Sequence, residues 1–211
     1  MTSLDKLLTN ASLPLSEHKP EILGSPRRLA GALVSQLLEM LYKRNGFYAL
    51  ESALHVFPTH SSKDEIGICE WNENTLWRSA YKGFADGCLF FAEDIFGGQF
   101  CIKDSKIYIF DPETGLLDYL ADDIESWAKL VINDYEVLTG YSLAHKWQKQ
   151  YGLLPAGKRL LPKVPFVMGG EFVLDNLYLV DAVEGMKFRA NIACQIKDLP
   201  NGSQVRFNIN S

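Results

Sequence analysis

Among the histidines and cysteines of this sequence, whose types hold metals or activate nucleophiles, three lie close together: His55, His60 and Cys69. Two histidines at i, i+4 on one helix, as in H-E-x-x-H, would converge on a zinc ion. Here Pro58 lies between the two, and their spacing is five residues rather than four. No single helix face carries both. A His55/His60/Cys69 centre, binding a metal or pairing the thiol with a histidine base, therefore stands only as an alternative. No serine lies in a G-x-S-x-G elbow. Two glycine pairs remain, Gly97-Gly98 in "EDIFGGQFCI" and Gly169-Gly170 in "FVMGGEF". A phosphate loop needs G-x-x-x-x-G-K-[ST], whose backbone amides and lysine surround the anion. After Gly98 come Gln99, Phe100, Cys101 and Ile102, and Glu171 after the second pair would repel a phosphate. The dinucleotide pattern G-x-G-x-x-G is also missing. Gly97-Gly98 reads as a hairpin turn. The chain is expected to have no catalytic residues, cofactor or metal.

Carboxylates are the other chemically active group. Residues 86–136 hold twelve of them against three lysines, whereas residues 146–206 hold nine bases against five acids. An acidic stretch of this kind is either a solvated surface or a docking face for a basic partner. Asp122 and Glu125 are expected to serve a helix start, and Asp111 a turn. The overall charge of -5 and the pI near 5.4 argue against direct nucleic-acid binding. No apolar run reaches the length of a membrane span. The first twenty residues lack a basic head before an apolar stretch, so a cytoplasmic location is expected. The four cysteines have no C-x-x-C spacing and read as free, buried thiols.

These groups must be positioned by recognisable elements. Pro14, Pro20 and Pro26 make a continuous helix improbable in residues 1–29, which read as a polar N-terminal segment. Leu33, Leu37, Leu38 and Leu41 recur at helical spacing until Asn45-Gly46. Residues 46–58 carry apolar weight and end at Pro58, and residues 59–65 form a polar loop. "IGICEWN" reads as a strand and "ENTLWRSAYKG" as a short helix. "CLFFAED", "GQFCIKD", "KIYIFD" and "LLDYLA" follow as four closely spaced strands, the pattern of an antiparallel meander. Asp122 with Glu125 three residues later forms a capping-box pattern for a helix through Trp127, Leu130, Val131 and Leu138 to Gly140. A short helix over "LAHKWQKQYG" comes next. Asp181 caps a last helix with Met186, Ala190, Ala193 and Ile196 on one face, and "QVRFNI" reads as a final strand.

This order, with "FFAEDIFGGQFCI", "KIYIFDPETG" and "LADDIESWAKLVI", resembles the SMI1/KNR4 family of the SUKH superfamily. The resemblance covers about residues 30–140, and the tail over 141–211 resembles the extension of some bacterial members. It implies an α+β fold, with a central, largely antiparallel sheet and helices packed against it. It also implies a non-enzymatic immunity protein that binds and neutralises a cognate protein toxin, a basic nuclease being the natural type. A general scaffold of the same family is the alternative. With an acidic face, the contact residues would be Asp94, Asp118, Asp122 and Asp123, with Phe96 and Tyr119 as apolar anchors. A second place for docking is the extension around Phe166 to Phe172.

Overall fold

A computed structural model of the chain describes residues 1–200 and 202–204. Helices α1 (Ser3–Thr9), α2 (Gly24–Ala30) and α3 (Val34–Lys43) come first. Strands β1 (Phe47–Ala49) and β2 (Leu54–Val56) and the one-turn helix α4 (Ile68–Trp71) follow. The expected meander is β3 (Leu89–Asp94), β4 (Gln99–Lys103), β5 (Lys106–Phe110) and β6 (Leu117–Ala121). Then come α5 (Ile124–Asn133), α6 (Tyr135–Thr139) and α7 (Tyr141–Tyr151). A hairpin of β7 (Lys158–Pro162) and β8 (Leu177–Asp181) leads into α8 (Ala182–Ile196).

Strands β1 to β6 lie side by side in chain order, every neighbouring pair antiparallel. The fold is α+β. Successive strand residues point to opposite faces, and the aromatic residues use both. Phe91 and Phe100 meet Trp127 of α5 edge to face, at centroid distances of 5.1 and 5.7 Å. Phe90 meets Trp77 on the other side, and Phe110 meets Tyr81 there, at 5.0 and 5.1 Å. Helix α5 buries Ile124, Trp127, Ala128 and Val131, the i, i+3, i+4, i+7 stripe of a helix that covers a sheet. A second, smaller apolar cluster joins Ile95 to Trp147, Leu160 and Leu177, and so welds residues 141–181 to the β3–β4 turn. Among the described residues, no helix is long and apolar enough to cross a membrane.

Several expectations needed correction. Residues 1–29 are not merely a polar segment. Thr2 and Asp5 form a capping box, and α1 buries Leu4, Leu7 and Leu8 in the main core. Residues 46–58 form a β-hairpin whose turn, Leu50, Glu51 and Ser52, has three positive φ angles. With no glycine there, the usual turn signal was missing. "IGICEWN" is helical rather than extended, because Ile68 and Trp71 share one buried face three residues apart. "ENTLWRSAYKG" folds only in part, as a 3-10 turn over Arg78–Tyr81. The helix toward Gly140 breaks at Asp134 into α5 and α6. Strand β7 was hidden by its charged start and terminal proline. The expected strand over 204–209 lies outside the described residues except for Gln204.

The start of α5 is shifted by one residue from the expected cap. Asp123, not Asp122, is the N-cap, and its Oδ1 accepts the Ser126 N–H at 2.7 Å. Asp122 is exposed and pairs with Lys106 Nζ at 2.6 Å. Glu125 reaches across to α1, where its carboxylate accepts the backbone N–H groups of Ser3 and Leu4. No capping box forms at α5. Asp123→Ala should therefore lower stability by about 1 kcal/mol in urea denaturation, and Asp122→Ala should cost clearly less, since an exposed pair adds little. The reverse ranking would contradict the cap.

Candidate partner-docking site

The β3–β4 turn is built around Asp94. Its Oδ1 accepts the Phe96 and Gly98 N–H groups, each at 2.8 Å, while Gly97 N–H bonds back to the Asp94 carbonyl at 3.1 Å. Gly97 has φ of 76°, and a Cβ there would lie 2.7 Å from Arg189 Nη2. A Cβ on Gly98 would strike Asp94 Oδ2 at 2.5 Å. The glycine pair is thus a turn, as expected: Gly97 is favoured by its positive φ as well as by the closeness of Arg189, and Gly98 by the close approach of Asp94 Oδ2.

Three separate elements converge on this turn. Arg189 of α8 donates to the carbonyls of Phe96 and Gly97 and, through Nε, to Gly185. The β7–β8 connection brings Phe166 and Phe172, stacked on one another at 3.8 Å with planes 8° apart. Phe96 meets both edge to face, at 5.4 and 5.7 Å. The β5–β6 turn brings Asp111 and Glu113. Asp111 is engaged by Glu113 N–H and the Thr114 hydroxyl, and Glu113 accepts the Val167 N–H at 2.8 Å. Between them lies a cavity of about 430 Å³, edged by Val137 and Val167. Its rim is unusually apolar for surface, with Phe172 61% and Val137 77% exposed. Burial pushes the Asp94 carboxyl up to about 7, against the opposing pull of its two amide donors and Arg189. Burial also raises Glu113.

The expected acidic face is not one surface. Asp94 sits at the sheet end formed by the β3–β4 and β5–β6 turns, while Asp122 and Asp123 lie past the opposite end of β6. Three strand spacings of about 4.8 Å and five residues of about 3.3 Å separate them. Asp118 and Tyr119 are exposed on β6, and Tyr119 leans on Tyr108 with Lys106 Nζ 5.5 Å from its ring. Asp123 is taken by its cap and Asp122 by Lys106. Phe96 is only partly buried, but it packs inward on Phe166 and Phe172 instead of standing free. The structure joins two expected docking places, Phe96 and the Phe166–Phe172 segment, into one.

No family model and no curated protein matches the chain. A solved structure is similar: the crystal structure of Atu4351 from Agrobacterium tumefaciens. The TM-score is 0.53 at 15% identity, over 87% of this chain and 86% of that one. The likeness shows the fold alone.

Two site residues escaped the sequence reading. Glu113 looked like part of a turn. Arg189 carried a signal, since it lies three residues after Met186 and four before Ala193 on the buried stripe of α8. A charge on such a stripe must reach partners, and here those are the carbonyls of the Asp94 turn.

The metal-or-nucleophile alternative is spatially divided. His55 is buried between Tyr48 and Phe57, with Nδ1 3.1 Å from Glu93 Oε1. It lines a cavity of about 240 Å³ together with Glu65 and Glu93. Burial holds His55 down to about 4, so it is neutral at pH 7. His60 and Cys69 line a different cleft, and His60 Nδ1 faces Glu70 Oε1 at 3.5 Å. Burial pushes the Cys69 thiol up to about 11. Among the described residues, no three His, Cys, Asp or Glu side chains are grouped to hold a metal.

Proposed function

We propose that this chain is a non-enzymatic immunity protein of the SMI1/KNR4 type, which binds a basic protein toxin in the cytoplasm and blocks it by contact. One observation carries the reading: the exposed apolar rim of Phe172, Val137 and Val167 stands beside the carboxylates of Asp94, Asp111 and Glu113. Apolar anchors ringed by charge are the composition of a protein-binding hot spot. Nuclease toxins are basic because they hold phosphates, and an acidic, apolar pocket fits such a surface. The resemblance in residues 30–140 supports the same reading.

The experiment pairs this protein with the product of the adjacent coding sequence. That product should be toxic when expressed alone and harmless when the two are coexpressed, and the two should purify as a stoichiometric complex. Phe172→Asp and Val137→Asp should each weaken binding at least about tenfold, the loss of one anchor, and Val137→Asp, whose side chain is mostly exposed, should leave the melting temperature unchanged. A neighbour that neither binds nor harms cells would overturn the reading.

A further inference from the structure

We infer that the cavity beside His55 binds a small primary amine as its ammonium ion, held between His55 Nε2 and the Glu65 carboxylate. The inference goes beyond the docking reading and does not depend on it: this cavity shares no lining residue with the one beside Phe172.

Strand register builds the polar end of the site. Tyr48 of β1 stands opposite His55 of β2, His55 opposite Glu93 of β3, and Glu93 opposite Gln99 of β4. Directly opposed residues share a face, so the four side chains form one polar row across the sheet. Glu93 accepts Gln99 Nε2 at 3.1 Å and pairs with Arg159 Nη2 at 2.8 Å, while Gln99 Oε1 accepts the Trp71 indole N–H at 2.9 Å. Burial works against the Glu93 charge, but Arg159 and these hydrogen bonds keep it ionised. An ionised carboxylate only accepts. The proton of the imidazole is therefore on Nδ1, 3.1 Å from Glu93 Oε1. Burial keeps His55 neutral down to about 4. A neutral imidazole with its proton on Nδ1 presents Nε2 as a bare acceptor.

That acceptor has no donor. His55 is 2% exposed, and Nε2 is buried without a hydrogen-bond partner. Among the described residues, the other buried side-chain atoms in this state are N–H donors of arginine and tryptophan. Facing Nε2 at 3.5 Å is Glu65 Oε2, which already accepts the Tyr48 hydroxyl at 3.1 Å. Two acceptors thus meet at the cavity wall with no hydrogen between them. Buried acceptors left in this way are costly, and a ligand that donates to both relieves the cost.

The rest of the cavity selects the ligand. Its volume is about 240 Å³, and Phe57, Trp71 and Ile66 give it an apolar wall. An anion would meet the Glu65 carboxylate and a nitrogen lone pair. An apolar molecule would fill the wall and leave both acceptors unserved. Among the described residues, no three His, Cys, Asp or Glu side chains are grouped to hold a metal. A primary ammonium carries several hydrogens on one atom, enough for both acceptors. Its charge suits Glu65, which has no lysine or arginine within 4.0 Å among the described residues. Aromatic rings attract an ammonium and pack against the body that carries it.

The probe is phenethylammonium, compared with phenethyl alcohol and hydrocinnamate at matched ionic strength. Long-range proton–nitrogen NMR reads His55 Nε2 itself, whose resonance shifts when it accepts a hydrogen bond. The ammonium should bind and shift it. The alcohol should bind at least about tenfold more weakly, the loss of one charged hydrogen bond, and hydrocinnamate should leave the resonance in place. Affinity should fall as pH is lowered from 7 to 4, because the ligand requires both Nε2 and the Glu65 carboxylate, which burial raises, to be unprotonated. Glu65→Gln retains an oxygen for the Tyr48 hydroxyl but removes the charge, and should lose at least about tenfold in affinity for the ammonium. An Nε2 resonance that the ammonium does not move would mean that a water or the Glu65 proton alone serves it, and would overturn the inference in the parent protein whether or not the variant folds. Equal affinity for the three probes, or for the ammonium in Glu65→Gln and parent, would overturn it too. No toxin takes part, so failure here leaves the docking reading standing, and failure of that reading leaves this site standing.

Discussion

Arg159→Ala should destabilise the protein by about 3–5 kcal/mol, the usual cost of stripping one partner from a buried ion pair. Arg159 is fully buried, and its Nη2 lies 2.8 Å from Glu93 Oε1, which is buried as well. The two come from distant parts of the chain, Glu93 from β3 and Arg159 from β7. Burial pushes the Glu93 carboxyl up, but Arg159, His55 and Gln99 outweigh it and hold it below the usual range. Without the arginine, Glu93 would keep only the His55 and Gln99 contacts, at 3.1 Å each, and no formal positive charge. The arginine also lies over the Tyr48 ring at 5.5 Å, so the β7–β8 hairpin would lose packing against β1. The double replacement Glu93→Gln with Arg159→Met removes both charges and keeps volume. It should recover most of the loss, because an uncompensated buried charge is the main cost. Urea denaturation at pH 7 of the parent, Glu93→Gln, Arg159→Met and the double gives the coupling, with Arg159→Ala measured alongside. An Arg159→Ala protein as stable as the parent, or a double variant whose loss equals the sum of the singles, would contradict the account.

This ion pair also marks the limit of what the sequence makes legible. The meander from Leu89 to Ala121 was plain because each strand is short, apolar and bounded by turn residues. The helices over Val34–Lys43 and Tyr141–Tyr151 were plain for the same local reason. Pairing between Glu93 and Arg159 leaves no local trace, since nothing in spacing links residues 66 positions apart. The candidate docking site was legible in pieces. Phe96 and the Phe166–Phe172 segment were both visible as apolar groups near glycine turns, but their meeting depends on tertiary packing of β7. The acidic stretch misled because charge along a sequence says nothing about which end of a strand each carboxylate occupies. Antiparallel reversal sends Asp94 one way and Asp122 the other.

Asp94→Asn should make the protein more stable than the parent at pH 8 and bring no such gain at pH 4. The Asp94 carboxyl is raised to about 7 from an ordinary 3.8, first by burial. A raised carboxyl favours the folded state while protonated. That advantage is complete below the unfolded value near 3.8 and disappears as pH rises through about 7. Above that, the folded protein holds an ionised carboxylate that faces Asp111 and Glu113 from the β5–β6 turn and neighbours Glu93 on its own strand, with Arg189 of α8 as the opposing charge. Asparagine carries no such cost and retains an oxygen for the Phe96 and Gly98 amides. Between pH 4 and pH 8 the stability difference should shift toward the variant by roughly 2–4 kcal/mol, at about 1.4 kcal/mol per unit. Glu113 titrates in both proteins, so its contribution largely cancels in the comparison. Denaturation curves of the pair at four pH values across this range are sufficient. A difference that stays flat from pH 4 to pH 8 would mean that Asp94 ionises normally.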